Sequence, residues 1–135
     1  MKFPNYIKNE NSPELNASEP GISIHSMPAV KLGEHSCFPV YGSFNIKKSL
    51  LYEFEGHVME AVVILLRGPY PATKSVGYHQ VFFKDDVNLY EDSIYGFFNI
   101  DLFSFFNLEE VPNRYFVNAS IFNYVSQILT VDVLE

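Results

Sequence analysis

The clearest alternation of apolar and polar positions runs from Tyr95 to Leu134. Tyr95 to Ile100 is aromatic and β-branched, which suits a pleated, packed surface. Asp101 follows, and Asp is a favoured N-cap because its carboxylate accepts otherwise unpaired backbone N–H groups. In LFSFFNL, Leu102, Phe105 and Phe106 fall at i, i+3, i+4, which predicts one short helix over Asp101–Leu108. That spacing turns Phe105 or Phe106 onto the end of the core. Asn107 or the Glu109–Glu110 pair ends the helix, and Pro112 forbids its continuation. Tyr115, Val117, Ala119 and Ile121 then alternate with mixed neighbours, Asn123 turns the chain, and Leu129, Val131 and Val133 alternate with Thr130 and Asp132. This predicts a terminal hairpin.

Upstream, residues 1–20 carry Pro4, Pro13 and Pro20, several asparagines and charges of both signs, the pattern of an extended, flexible arm. Phe3, Tyr6 and Ile7 give that arm something to dock with. Gly21 to Leu32 alternates loosely, and Pro28 suggests an edge strand or a bulge. Cys37 to Ile46 alternates as a half-buried strand, and LLYEF after Lys47–Ser49 suits a further short one. Gly56 opens a run that is apolar on both faces, with Val58, Val62, Ile64 and Leu66 on one side and Met59, Ala61, Val63 and Leu65 on the other. GPYPATKSVG breaks it. Tyr78 to Phe83 reads as another strand and KDDVNLYEDS as a polar link.

The count is about seven strands. A strand, a short crossing helix and a Pro-turn-Tyr entry into a last hairpin resembles the end of an immunoglobulin-like sandwich. There a tyrosine near the start of the sixth strand ties the preceding corner. The resemblance makes Tyr115 the candidate for that role. The fold expected is all-β: an antiparallel immunoglobulin-like β-sandwich of about seven strands, with one short helix before the last hairpin. It occupies residues 21–135 as a single domain behind the arm of residues 1–20, and 135 residues suffice to bury a core.

Composition changes this picture little. The chain has 13 Phe and 9 Tyr without a Trp, in keeping with strands. Nine Lys and Arg against 16 Asp and Glu leave a net charge of −7. An acidic globule without a basic cluster is poorly suited to nucleic acid, where neutralising phosphate supplies much of the affinity. It is equally poorly suited to anionic membrane surfaces. One cysteine, Cys37, excludes an intramolecular disulfide. The first residues contain no apolar signal region, and the longest apolar run, Ala61 to Leu66, is far short of a membrane helix. A cytoplasmic location is therefore expected, and the N-x-S triplets at Asn16 and Asn118 read as chance matches to a glycosylation acceptor.

Reaction chemistry is sparse. His35 and Cys37 sit at i, i+2 and would share a face if extended, where a thiolate and an imidazole can hold a metal. A blue-copper site also needs a second His and a Met converging from a late loop, and no His follows residue 79. His57 and His79 lie beside or within strands, as structural histidines do. Asp85, Asp86, Glu91 and Asp92 crowd one link, but not at calcium-loop spacing. No nucleophile elbow, zinc-protease motif or phosphate-binding glycine loop is present. Hence no catalytic residue, cofactor or metal is expected.

What remains is recognition. Arg67 to Pro71 is a proline-stiffened loop that would display Tyr70. The strands around Val58–Leu66, Tyr78–Phe83 and Tyr95–Ile100 break the rule that each strand keeps one polar face. If they are neighbours, their outer faces form one apolar patch. The expected partner-binding residues are thus Tyr70, Phe83, Tyr95 and Phe97, in a non-catalytic protein-binding or accessory module. The alternatives are a structural subunit of a homo-oligomeric assembly and an intracellular enzyme inhibitor or small metal-binding domain. A homodimer is the expected self-association, unless the arm covers the patch within one chain.

Overall fold

The computed structural model describes residues 2–15, 19–49, 62–68, 75–80, 87–90 and 92–135, with 75–80 and 87–90 described in backbone only. Tyr70, Phe83, His57, the LLYEF segment, Asp85, Asp86 and Glu91 lie outside the described residues. The elements are β1 (Gly21–His25), β2 (Ala29–Lys31), β3 (Pro39–Lys47), β4 (Val62–Arg67), β5 (Ser75–Gln80) and β6 (Val87–Tyr90). They continue with β7 (Ser93–Asp101), α1 (Leu102–Phe105), β8 (Asn113–Ile121), β9 (Tyr124–Val125) and β10 (Leu129–Leu134).

Two sheets form. One has the order β1-β3-β7-β6 and the other β2-β10-β8-β4-β5, with β9 hairpinned onto β8. The first and last parts of the chain close the structure together. Gly21–His25 pairs antiparallel with β3. The chain then changes sheets, and Ala29–Lys31 runs parallel to Asp132–Leu134. Pro28 sits between the two halves, its carbonyl accepting from the Asp132 N–H at 3.0 Å. A proline lacks the donor a continuous ladder needs, so the switch falls where it costs no strand hydrogen bond. A first strand split between two sheets, a four-stranded layer facing one that carries the C-terminal hairpin, and a helix crossing between them define the immunoglobulin-like sandwich. The described residues form ten strands rather than about seven, in part because β1 and β2 share one strand's work and the short β9 adds to the C-terminal hairpin. In addition, β6 forms within the stretch expected as a polar link, pairing Val87–Tyr90 with Ser93–Gly96.

Alternation does the rest. Inward residues include Val40, Phe44 and Ile46 of β3, Val62, Ile64 and Leu66 of β4, Ile94, Phe98 and Ile100 of β7, and Tyr115, Val117, Ala119 and Ile121 of β8. Burying aliphatic and aromatic area at roughly 25 cal/mol per Å² holds the layers together. Tyr115 stands at the entry to β8 as expected, with its ring 5.8 Å from that of Phe38.

The helix is shorter than its spacing predicts, and it buries Phe103 more deeply than Phe105 or Phe106. Asp101 caps it, accepting from the Phe103 N–H at 3.1 Å. Leu102 and Phe103 are the buried pair, whereas Phe105 and Phe106 are only half-buried and pack edge-on to each other at 5.3 Å. The reason lies at the C-terminus. Asn107 takes the left-handed conformation at φ 51°. Its N–H reaches the Ser104 carbonyl, and the Leu108 N–H reaches the Phe103 carbonyl at 3.0 Å. That closing motif ends the helix after one turn, so Phe105 and Phe106 fall at its end and pack against the core only partly buried.

Candidate functional site

Topology separates the strands whose outer faces were expected to merge. β4 and β5 are neighbours, but β7 belongs to the opposite sheet. Tyr95 and Phe97 therefore share a face with β3, not with β4. Cross-strand register sets Tyr41 opposite Asn99, Ser43 opposite Phe97 and Asn45 opposite Tyr95. These six side chains belong to the outer face of the β1-β3-β7-β6 sheet.

The N-terminal arm lies across that face. Phe3 meets Tyr41 at 6.2 Å between rings. Asn5 and Asn99 exchange both backbone hydrogen bonds, at 2.8 and 3.0 Å. The Asn99 carboxamide completes the attachment: its Nδ2 donates to Asn5 Oδ1 (2.7 Å) and to the Ile7 carbonyl (2.9 Å). Its Oδ1 accepts from Asn9 Nδ2 at 3.1 Å. Asn99 is fully buried, yet its carboxamide is hydrogen-bonded at both ends, as a buried amide must be to avoid a desolvation penalty. Asn9 also turns the arm, accepting from the Asn11 N–H, while the Ser12 hydroxyl accepts from the Asn9 N–H. Past the turn, Asn11 hydrogen-bonds to Tyr41, and the Ser43 hydroxyl donates to the Pro13 carbonyl at 2.7 Å. Burial pushes the Tyr41 phenol up, and the Asn11 contact opposes this.

Between arm and sheet a half-open cleft of about 340 Å³ remains. Lys8, Pro13, Glu14 and Leu15 wall it, and Ser43, Asn45, Ser93, Tyr95 and Phe97 floor it. Tyr95 is 37% exposed and Phe97 half-buried, their rings edge-to-face at 6.2 Å. Of the four residues expected to bind a partner, these two come together. Local alternation pointed to them, but the walls from the arm have no local signal.

The metal candidates do not converge. His35 is exposed in a turn, while Cys37 faces the core end and its thiol hydrogen-bonds to the Asp101 carboxylate. Burial first, and then that carboxylate, push the Cys37 thiol up to about 11. Among the described residues no three His, Cys, Asp or Glu side chains gather as a metal set. Nor is any described helix long and apolar enough to cross a membrane.

The fold and this face define an immunoglobulin-like sandwich with an arm-walled cleft. No protein-family model matches the chain, and no curated protein matches it either. Among solved structures, the chain is similar to the major subunit of the type I aggregative adherence fimbriae of Escherichia coli. Identity is 8% and the TM-score 0.27, over 90% of this chain and 99% of that one.

Proposed function

We propose that the chain is a non-catalytic protein-binding module whose working site is the arm-walled cleft on the β1-β3-β7-β6 sheet. One observation carries this reading. The face already holds a polypeptide segment, its own residues 5–15 with a turn at Asn9–Ser12, through main-chain and side-chain hydrogen bonds, and a cleft floored by Tyr95 and Phe97 stays open beside it. The occupant that fits is an extended peptide segment of a partner, laying an apolar side chain on the two rings. Lys8 and Glu14 at the rim meet its flanking charges. Apolar contact at the centre supplies affinity, and the polar rim sets orientation.

Panning random displayed peptides against the intact chain tests this. Selected peptides should bind the Phe97→Ser variant about tenfold or more weakly, a loss of about 1.4 kcal/mol. Selection of no peptide, or binding indifferent to Phe97→Ser and Tyr95→Ala, would refute the reading.

A second reading, a structural subunit of a homo-oligomeric assembly, draws on different residues. Met27, Val125, Ile128 and Leu134 are all about half or more exposed. Met27, Ile128 and Leu134 lie where residues 24–31 run beside 127–134, and Val125 sits on β9 just before them. Light scattering at tens of micromolar separates the two: a monomer near 15.5 kDa ends the subunit reading.

A further inference from the structure

Resting on the cleft as the binding site, we propose that the N-terminal arm is a strap that creates the site when closed, with Asn99 as its catch. The cleft has two parts of different origin. Its floor is the sheet, but Lys8, Pro13, Glu14 and Leu15 all come from the arm. With the arm away, the face is an open surface bearing Tyr95 and Phe97, and no cleft exists.

The attachment is of a releasable kind. Ile7 is 71% exposed, and apart from half-buried Tyr6, which packs against the core, the middle of the arm is held by hydrogen bonds. Most of those bonds converge on Asn99: Asn5 by backbone and side chain, Ile7 by its carbonyl, Asn9 by its carboxamide. Each is modest in net free energy because water replaces it on opening. The sandwich beneath depends little on this attachment, since the buried residues of its core all lie between Ile22 and Val133, with Tyr6 the arm's partly buried contact to them.

A peptide in the cleft touches strap and sheet together and therefore binds the closed state better than the open one. Linkage then works both ways. Opening the strap weakens apparent binding in proportion to the closed fraction lost, and bound peptide holds the strap shut.

The experiment uses the full chain with the peptide selected on it. Trypsin cleavage after Lys8 reports strap opening without reference to any ligand. Two variants open the catch from opposite sides: Asn99→Ala in the sheet, and Asn5→Ala with Asn9→Ala in the arm. The second leaves the sandwich untouched and serves if the first fails to fold. In both, cleavage after Lys8 should accelerate, and peptide binding should weaken by about tenfold, within the usual range of coupling between sites. In the unaltered chain, saturating peptide should slow that cleavage. Variants whose arm is cut faster but which bind peptide as tightly overturn the strap and leave the cleft reading standing. Cleavage no faster than in the unaltered chain also overturns it. Peptide binding indifferent to Phe97→Ser removes the cleft reading, and the strap proposal falls with it.

Discussion

Phe98 lies with its ring directly against the Cα of Gly42, its registered partner across β3 and β7, where a β-carbon would occupy the same space as the ring edge. Phe98 is fully buried, and the absence of a side chain at residue 42 is what admits it to the core. Gly42→Ala should therefore destabilise the fold by about 1–3 kcal/mol or more through overpacking. Phe98→Leu in the Gly42→Ala background should recover part of that loss. Urea denaturation of the four species of the cycle gives the coupling, and additive effects would show that the two positions do not compete for space.

Asp101 ties helix α1 to the segment entering β3. It accepts from the N–H groups of Phe38 (2.9 Å) and Phe103 (3.1 Å) and from the Ser104 hydroxyl (3.2 Å). Asp101→Ala removes a helix cap and leaves the Phe38 N–H without its acceptor. The expected cost is about 2–4 kcal/mol, from a cap of about 1 and a stranded N–H of about 1–3. Asp101→Asn keeps an acceptor oxygen and should lose clearly less. Chemical denaturation of both variants checks the order.

Phe103 seals the helix against Phe38, ring to ring at 5.8 Å. Phe103→Ala should cost about 3–5 kcal/mol. Phe105→Ala and Phe106→Ala should each cost clearly less, because both rings keep solvent on one side. Equal losses at all three positions would reject this assignment.

Cys37 should be a slow nucleophile. Its thiol is pushed up to about 11 from an ordinary 9.0, so near neutral pH almost none is thiolate. Since the folded-state value is the higher one, the folded chain holds its proton after the unfolded chain has lost it. The stabilisation is complete below about pH 9 and is lost as pH rises toward 11. Alkylation of the native chain at pH 8 should be far slower than in urea, and Cys37→Ser should flatten the decline in stability across that window. Fast native alkylation would contradict the half-buried, carboxylate-bonded thiol.

Gln127 covers the open edge of β1. Its side-chain Nε2 donates to the Ile24 carbonyl at 2.6 Å, and its Oε1 accepts from the Ile24 N–H at 3.4 Å. The side chain thereby stands in for a neighbouring strand, which limits edge pairing with other chains. Gln127→Ala should raise amide exchange at Ile24 by up to about tenfold, the equivalent of one hydrogen bond. Unchanged exchange would show that the edge is protected by other means.

Much of the architecture is local and was legible in the chain. Alternation in Cys37–Ile46, Tyr95–Ile100 and Tyr115–Ile121 reports one face toward a core, because successive side chains in a strand point to opposite sides. Asp101 as a cap, Pro28 as an interruption and Tyr115 at a strand entry are equally local, each following from what one residue's backbone or side chain permits. Pairing is a different matter. Tyr95 and Phe97 have the same alternation whether β7 lies beside β4 or beside β3, and only the packed topology sets them beside β3, beneath the arm. Asn99 looks like a polar lapse in an aromatic strand until Asn5, Ile7 and Asn9, far away in sequence, arrive to satisfy its carboxamide. A residue's face is set by its neighbours in the chain. Its partner is set by which distant segments the burial of the whole core brings together, and no local pattern carries that information.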